Sequence, residues 1–261
     1  MIAPDDPPIL RVTALAKHYG ARAAAIDVSF ELWPGEVLAV VGESGSGKTT
    51  LLDCVSARQR PDAGRVEFLT RHEGMVDIFA LSEAQRRLLA RTDWGFVHQN
   101  ATEGLRMNMS AGANVGERLM ALGERNYGRI RQEANDWLAR VEMDVARIDE
   151  TPVTFSGGMR QRLQIARNLV TRPRLVFMDE PTSGLDVSVQ ARLLDLLRSL
   201  TRQLSQAAII VTHDLAVARL MAHRMIVMKD GRVIEHGLTD QVLDDPQHPY
   251  TQLLVSSVLT P

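Results

Sequence analysis

An unbroken apolar run that ends at a glycine-rich loop constrains this chain more than any other feature. The run is Val37-Leu38-Ala39-Val40-Val41, and the loop reads Gly42-Glu43-Ser44-Gly45-Ser46-Gly47-Lys48-Thr49. A short, continuous apolar run predicts a strand that is buried on both faces, as in a parallel sheet covered by helices. We therefore expect an α/β fold in which a helix begins at about Gly47.

The glycine-rich loop fits the pattern G-x-x-x-x-G-K-[ST], which binds the phosphates of a nucleotide. Glycine lets the backbone approach an anion, and the helix that follows presents its positive end to it. The pattern assigns Lys48 to the outer phosphates and the Thr49 hydroxyl to a magnesium ion. The other nucleotide contacts predicted in this segment are Gly42, Ser44, Gly45, Ser46, Gly47 and Thr50.

Polar residues follow two later apolar runs, where ligands bind in open α/β sheets. Asp179 and Glu180 follow the run 175–178, and His213 follows the run 208–211 and Thr212. Asp179 is suited to hold the shell of a magnesium ion, and Glu180 to orient and deprotonate an attacking water. An acidic pair at a strand end is otherwise often a solvated turn, and a lone histidine is often only structural.

A second glycine cluster, Ser156-Gly157-Gly158, precedes a helix predicted over 159–169. Its serine hydroxyl, free amides and helix dipole together make a second anion site. One chain has little need of two such sites for one triphosphate.

The two glycine clusters, with Asp179-Glu180 beyond the second, make nearly the whole chain resemble the nucleotide-binding subunits of the ATP-binding cassette (ABC) family. The resemblance implies that two copies close face to face over two ATP molecules. Ser156-Gly157-Gly158 of one copy then reaches the γ-phosphate held by the other. Phe155 and Met159 stand where the family usually has leucine and glutamine.

The same resemblance assigns three more residues to the site. Gln99 touches the magnesium ion or its waters, and His213 contacts the terminal phosphate. Tyr19 stacks on adenine. The predicted metal ligands are therefore Thr49, Gln99 and Asp179, the cofactors are ATP and Mg²⁺, and the catalytic residues are Glu180, His213 and Lys48.

The predicted fold is a single P-loop NTPase domain of the ABC type over residues 1–261. Residues 1–99 and 159–240 form a core with a mostly parallel sheet and an antiparallel β subdomain. Residues 100–158 form an inserted α-helical lobe, and residues 241–261 a C-terminal tail. The periodicity predicts helices at 115–122, 130–141 and 187–200, strands at 65–69, 94–97 and 225–228, a hairpin turn at Asp230-Gly231 and a capping box at 82–85.

Charge and cysteine content limit the class of partner. The chain has 30 Lys and Arg against 32 Asp and Glu, so no global field draws it onto nucleic acid or acidic lipid. Cys54, the single cysteine, allows no internal disulfide and fits a reducing compartment. Residues 1–8 carry acids and prolines instead of a signal peptide, and no apolar run approaches the ~20 residues of a membrane span. We expect a cytoplasmic protein that binds no nucleic acid and does not insert into a membrane.

Subfamily features lie outside the universal nucleotide motifs. The segment 248–254 resembles the tail of oligopeptide-importer subunits, whereas the stretches 91–99, 111–120 and 155–159 resemble an ABC subunit of the bacterial carbon-phosphorus lyase complex. That resemblance implies an ATPase that docks through its helical lobe onto soluble core subunits and drives their conformational change during phosphonate breakdown. The lobe arginines, which would meet an acidic surface or simply solvate helix faces, are Arg106, Arg118, Arg125, Arg129 and Arg131.

Three other functions share parts of this pattern. The motor of a membrane importer of the oligopeptide class needs the same active site and differs only in its docking surface. A clamp that binds ATP without hydrolysing it has no need of Glu180. A DNA-processing ATPase would need a long coiled-coil arm, for which the interval between Gln99 and Ser156 is too short. The sequence leaves open whether the partner is a soluble core or a permease, and a homodimer is the simpler pair.

Overall fold

The computed structural model describes residues 7–259, without the side chains of residues 258 and 259. Residues 1–6, to which the signal-peptide argument partly applies, and the last two residues of the tail lie outside this range. The strands are β1 (Leu10–Tyr19), β2 (Arg22–Leu32), β3 (Val37–Val41), β4 (Ala63–Leu69), β5 (Met75–Asp77), β6 (Trp94–Val97), β7 (Leu175–Asp179), β8 (Ala207–Val211), β9 (Arg224–Lys229) and β10 (Arg232–Leu238). The α-helices are α1 (Lys48–Val55), α2 (Glu83–Thr92), α3 (Ala111–Ala121), α4 (Tyr127–Arg140), α5 (Gly157–Leu169), α6 (Val187–Gln203), α7 (Leu215–Met221), α8 (Thr239–Asp244) and α9 (Pro249–Leu259).

The chain divides into two compact units. The first runs to Arg86 and resumes at Ser205, and the second is Arg87–Leu204. Helices α3, α4 and α5 lie in the second unit. The predicted boundaries of core, helical lobe and tail stay a prediction.

The first unit contains an antiparallel sheet with the strand order β2-β1-β4-β5. It also contains the strands β10-β9-β3-β8, in which β3 runs parallel to both β8 and β9. Strands β9 and β10 form the expected antiparallel hairpin, with φ of 48° at Asp230 and 77° at Gly231. Two successive positive φ angles are those of a type I′ turn, which matches the twist of a hairpin.

Strand β3 carries the glycine-rich loop into the first unit. All five of its residues are buried, as the apolar run predicts, and α1 begins at Lys48, one residue after Gly47. Cys54 is fully buried on α1, and this burial raises the pKa of its thiol to about 11. The thiol is therefore protonated at neutral pH and serves as a small apolar group.

The second unit pairs β6 with β7 in parallel and packs α3 against α4 and α5. Its core includes Trp137, Leu138 and Val115, all with no exposed surface. The prediction of an α/β fold with parallel strands, an antiparallel β part and helices between β6 and β7 is confirmed. Among the residues described, none of the helices is sufficiently long and apolar to cross a membrane.

Candidate functional site

The loop at residues 42–49, which we call the phosphate loop, depends on its glycines. Gly42 and Gly47 have φ of 147° and 105°, which L side chains rarely adopt. A Cβ atom would lie 2.2 Å from the carbonyl oxygen of Met228 at Gly42, and 1.9 Å from that of Ala24 at Gly47. The glycines therefore allow the loop to pass directly against neighbouring backbone.

Two contacts from distant parts of the first unit hold the middle of the phosphate loop. Arg22 donates from Nη2 to the carbonyl oxygen of Gly45 at 2.9 Å. The N–H of Gly231, in the β9–β10 turn, donates to the carbonyl oxygen of Ser46 at 3.0 Å. The loop is thus shaped by the folded unit and not by its own sequence alone.

The phosphate loop presents the groups that an anion requires. Lys48 is buried, and its Nζ donates to the carbonyl oxygens of Gly42 at 2.7 Å and Glu43 at 2.8 Å. The buried hydroxyl of Ser46 has no hydrogen-bond partner among the described residues, and Gly47 gives α1 no side-chain cap. An orphaned hydroxyl, an uncapped helix start and a lysine on one loop fit a bound phosphate.

An open pocket of about 160 Å³ adjoins this loop within the first unit. Its lining residues are Tyr19, Arg22, Ala24, Gly45, Gly47, Lys48, Thr49 and Thr50. The structure therefore brings Tyr19 together with the predicted phosphate contacts. The Tyr19 side chain is 48% exposed, and its hydroxyl donates to Oε1 of Gln59 at 2.5 Å, which fixes the ring at the end of β1.

His213 lies at the same sheet edge as the phosphate loop. Strands β3 and β8 are parallel, with Val40 opposite Val211, so the residues after both strands emerge on one side. His213 is exposed there, and Asp214 caps α7 by accepting from the N–H groups of Ala216 and Val217.

Gln99 and Glu180 meet in the second unit. Val97 pairs with Met178 in the parallel β6–β7 ladder, so each of the two lies two residues beyond a paired position. Gln99 donates from Nε2 to Oε2 of Glu180 at 3.2 Å and to Oγ of Ser183 at 3.1 Å. Glu180 has a φ of 40°, which turns the chain sharply after Asp179, the last residue of β7.

The sequence did not predict a set of buried amides next to Gln99. Three residues on one face of α5 form hydrogen bonds with the backbone of β6 and of His98, the residue that follows β6. Gln164 accepts from the N–H of His98, Gln161 donates to the His98 carbonyl oxygen at 3.2 Å, and Asn168 accepts from the N–H of Phe96 at 3.1 Å. Their spacing of i, i+3 and i+7 predicts that the three amides share one face of a helix, but it does not indicate which strand they bind.

Ser156, Gly157 and Gly158, which we call the signature segment, begin α5 as predicted. Ser156 is the N-cap residue, and its Oγ accepts from the N–H of Met159 at 3.3 Å. A Cβ on Gly157 would meet only Cδ2 of Leu185, at 3.8 Å. Ser156 and Gly157 are therefore exposed, Gly158 is half-buried, and the serine caps the N–H of Met159.

One arginine contacts both residues that depart from the family pattern at this segment. The guanidinium of Arg147 lies 4.8 Å from the ring centroid of Phe155, and its Nη1 donates to Sδ of Met159 at 3.3 Å. Glu150 holds Arg147 through two hydrogen bonds, at 3.0 and 2.7 Å. The thioether thus has a polar partner at a position where the family usually carries glutamine.

The assignment of Mg²⁺ to Thr49, Gln99 and Asp179 stays a prediction. A hydroxyl, an amide oxygen and a carboxylate are the oxygen ligands that Mg²⁺ prefers. Thr49 is exposed at the start of α1, where such a ligand is accessible.

Comparisons with known proteins agree with this geometry. The family model described as ABC transporter matches residues 26–183. The "Putative phosphonates utilization ATP-binding protein PhnK" of Escherichia coli is 63% identical over 252 residues, which cover 97% of this chain and 98% of that protein. A "Putative peptide import ATP-binding protein" of Brucella ovis is 37% identical and covers 98% of this chain and 80% of its own length.

Solved structures with a similar fold are also ATP-binding cassette proteins. A dimeric, post-hydrolysis state of the ATP-binding cassette MJ0796, bound to ADP and Pi, matches with a TM-score of 0.78 and 28% identity. It covers 88% of this chain and 98% of its own. The cbiO1 protein of Clostridium perfringens, part of an ABC transporter complex, matches with a TM-score of 0.79 and 27% identity over 98% and 97% of the two chains.

Proposed function

The chain belongs to the ATP-binding cassette family, and we propose that it is the ATPase subunit of a carbon-phosphorus lyase complex in the cytoplasm. As a family member it is an ATP-binding protein and an ATPase. In the proposed role, two copies pair over two ATP molecules and drive a conformational change in soluble phosphonate-degrading subunits.

The observation that carries this proposal is the 63% identity to a phosphonates utilization ATP-binding protein, which extends over nearly all of both chains. The peptide-import relative is 37% identical and leaves a fifth of its own length unmatched. The carbon-phosphorus lyase role is therefore better supported than the importer role, which shares the nucleotide site.

The phosphate loop supports the binding half of the mechanism. Lys48 and the amides at the start of α1 would hold the phosphates, and the Ser46 hydroxyl would gain a partner there. Tyr19 stacks on the base at the rim of the pocket. A bound Mg²⁺ neutralises phosphate charge, and Thr49, Gln99 and Asp179 are the residues proposed to hold it.

Glu180 and Gln99 in the second unit, together with His213 in the first, support the hydrolytic half of the proposed mechanism. Glu180 takes a proton from the attacking water. The Gln99 amide donates a hydrogen bond to the Glu180 carboxylate and so orients this carboxylate. His213 contacts the terminal phosphate. The signature segment of the partner copy supplies amides to the γ-phosphate, where developing negative charge needs donors.

The proposed docking surface is the helical part between β6 and α5. Several of its arginines already bind within the second unit. Arg131 makes an ion pair with Asp149 at 2.7 Å, and Arg118 donates to the carbonyl oxygens of Ala90 and Trp94. Burial lowers the pKa of Arg118 to about 10. The lobe arginines are thus in part structural, and docking does not depend on all of them.

Affinity purification with a trapped variant tests the proposal. Tagged wild-type chain and Glu180→Gln are purified in ATP and Mg²⁺, and the bound proteins are identified by mass spectrometry. We expect soluble phosphonate-degrading subunits with both, and a larger share of paired chains with Glu180→Gln. Loss of the base lowers turnover by about 10²-fold or more, while ATP binding changes less than about twofold.

The exposed Glu73 gives a matched control, because Glu73→Gln removes a carboxylate from an unrelated loop. It keeps wild-type turnover. Recovery of an integral membrane permease alone would establish the importer role instead. Hydrolysis by Glu180→Gln at the wild-type rate would show that Glu180 is not the base.

A further inference from the structure

The tail segment that resembles importer subunits is bound firmly to the first unit. Glu235 on β10 accepts from the N–H of Gln247 at 2.8 Å and from that of His248 at 3.0 Å. His248 in turn accepts through Nδ1 from the N–H of Tyr250 at 3.1 Å. These bonds satisfy N–H groups at the start of α9, which begins at Pro249. The segment therefore has one defined position on the unit.

Tyr250 extends from this segment to the phosphate loop. Its side chain is 7% exposed, and its hydroxyl oxygen accepts from the N–H of Glu43 at 3.1 Å. The Nζ of Lys229 lies 4.8 Å from the centroid of its ring. Burial raises the pKa of the Tyr250 phenol, so the hydroxyl remains neutral at physiological pH. A residue near the chain's end thus contacts the second residue of the glycine-rich motif.

Both backbone groups of Glu43 form hydrogen bonds. Its N–H donates to the Tyr250 hydroxyl, and its carbonyl oxygen accepts from Nζ of Lys48 at 2.8 Å and from the N–H of Ser46 at 3.2 Å. A bound phosphate would draw Lys48 toward itself and weaken its bonds to the loop carbonyls. The bond that the Glu43 N–H donates to Tyr250 does not involve Lys48, and we expect it to remain when Lys48 turns to a phosphate.

We propose that Tyr250 is a positioning residue for nucleotide binding, which holds Glu43 so that the phosphate loop keeps its binding shape. The effect operates through the loop, because the tyrosine itself does not line the nucleotide pocket. A loop that is already ordered loses less conformational freedom when its ligand binds, and the ligand therefore binds more tightly. The inference rests on the proposed ATP site.

Tyr250→Phe isolates the hydroxyl, because phenylalanine keeps the ring and its contact with Lys229. The Glu43 N–H then loses its partner in a partly buried place. We expect the Kd for MgADP to rise about fivefold to tenfold, which corresponds to about 1 to 1.4 kcal/mol. The KM for ATP rises with it, whereas kcat at saturating ATP stays within about twofold because no reacting atom is touched.

The experiment uses the full-length chain, titrated with MgADP by calorimetry and assayed for steady-state ATP hydrolysis. The matched control is Tyr127→Phe, the same chemical change at an exposed position on α4. It leaves both constants unchanged. Melting without nucleotide is measured for every variant, and the midpoint of Tyr250→Phe is expected within about 4 °C of wild type.

Each other result has one meaning. An unchanged Kd for Tyr250→Phe overturns the positioning role and leaves the ATPase proposal intact. A wild-type chain that does not bind MgADP overturns the proposed ATP site itself. The remaining result is that the Kd of Tyr250→Phe returns to the wild-type value on cooling, while its melting midpoint falls far below that of wild type. This result means that Tyr250 only stabilises the fold, and it too overturns the inference.

Discussion

The two glycine-rich helix starts of this protein, at α1 and at α5, differ in how their N–H groups are used. Helix α1 follows Gly47, which has a positive φ and no side chain to cap the helix. Helix α5 follows Ser156, whose hydroxyl accepts from the N–H of Met159. At the first start no side chain caps the N–H groups, which suits them to a ligand bound by the same chain. At the second start Ser156 caps only the N–H of Met159, and Ser156 and Gly157 are exposed, which suits the proposed approach of another copy.

The supports of the two segments differ in the same way. The phosphate loop is held by Arg22, Gly231 and Tyr250, which lie in distant parts of the sequence. The two residues that flank the signature segment, Phe155 and Met159, contact Arg147, which lies nearby in the chain. The shape of the phosphate loop therefore depends on contacts from several distant parts of the first unit, whereas the flanks of the signature segment are held by a residue close to them in sequence.

The largest expected effect comes from adding one methyl group to the phosphate loop. In Gly47→Ala the Cβ would lie 1.9 Å from the Ala24 carbonyl oxygen, at a φ of 105° that alanine rarely adopts. The loop must shift away from the backbone of β2. We expect the affinity for MgADP to fall by about 10²-fold or more, as measured by calorimetry on the full-length chain.

Gly35→Ala is the control for this substitution. Gly35 also has a positive φ, of 76°, but a Cβ there would meet nothing within 4 Å. We expect a loss of stability of about 1 kcal/mol from backbone strain and an unchanged affinity for MgADP. Equal loss of affinity in both variants would contradict the view that the loop depends on close backbone contact.

A methyl group added to the signature segment should have a smaller effect, and it should lower turnover instead of MgADP affinity. In Gly157→Ala the new Cβ meets only Leu185 at an ordinary contact distance, and alanine favours the helix. The melting temperature should not fall. Turnover should drop about tenfold, because in the proposed pair the methyl group lies where the partner copy's phosphate would approach, while MgADP binding by the isolated chain stays unchanged.

Chain concentration separates this explanation from a structural one. The deficit of Gly157→Ala should appear under conditions in which the wild-type chain pairs, since in the proposed mechanism only pairing would bring the segment to a nucleotide. If the variant hydrolyses ATP like the wild type in the paired state, the signature segment is not part of the site. If Gly157→Ala instead lowers the affinity of the isolated chain for MgADP, the start of α5 affects the nucleotide site of its own chain, which contradicts the comparison.

Local patterns in the sequence predicted most of the elements that position the site. The run 37–41 predicts a buried strand, and all five residues are buried. Ser82 and Gln85 make the reciprocal bonds of the predicted capping box, at 2.9 and 3.3 Å. These signals depend on neighbours in sequence, so propensity and periodicity are sufficient to find them.

Contacts between distant segments could not be predicted in this way. Nothing in the spacing of Tyr250 and Glu43 indicates that they meet, because neither belongs to a shared repeat. Likewise, the amide of Gln164 gives no sign that it binds the backbone of His98. Such pairs are set by tertiary packing, which a single sequence does not record. They are also the contacts that shape the candidate site.

The smallest expected effect concerns the most remote support of the phosphate loop. Burial would raise the pKa of the Glu235 carboxyl, but the N–H of Gln247, the Thr251 side chain and the N–H of His248 together outweigh it and hold the pKa below its ordinary value. Because the folded pKa is lowered, the stabilisation is complete above the unfolded pKa of about 4.3 and is lost as pH falls through the folded value. Between neutral pH and that window the tail should stay bound.

Glu235→Gln tests whether this distant support reaches the loop, as the comparison of the two helix starts requires. A neutral amide accepts more weakly than a carboxylate, so the melting midpoint should fall by roughly 2 to 4 °C at pH 7. The Kd for MgADP should rise less than in Tyr250→Phe, because the hydroxyl is still present. The melting difference from wild type should shrink as the pH falls below the unfolded pKa of about 4.3 and vanish once the pH lies below the lowered folded pKa, whereas Glu73→Gln shows no difference at either pH. A difference that persists in acid would show that the carboxylate charge does not hold the tail, and the phosphate loop would then lack the most remote of its supports.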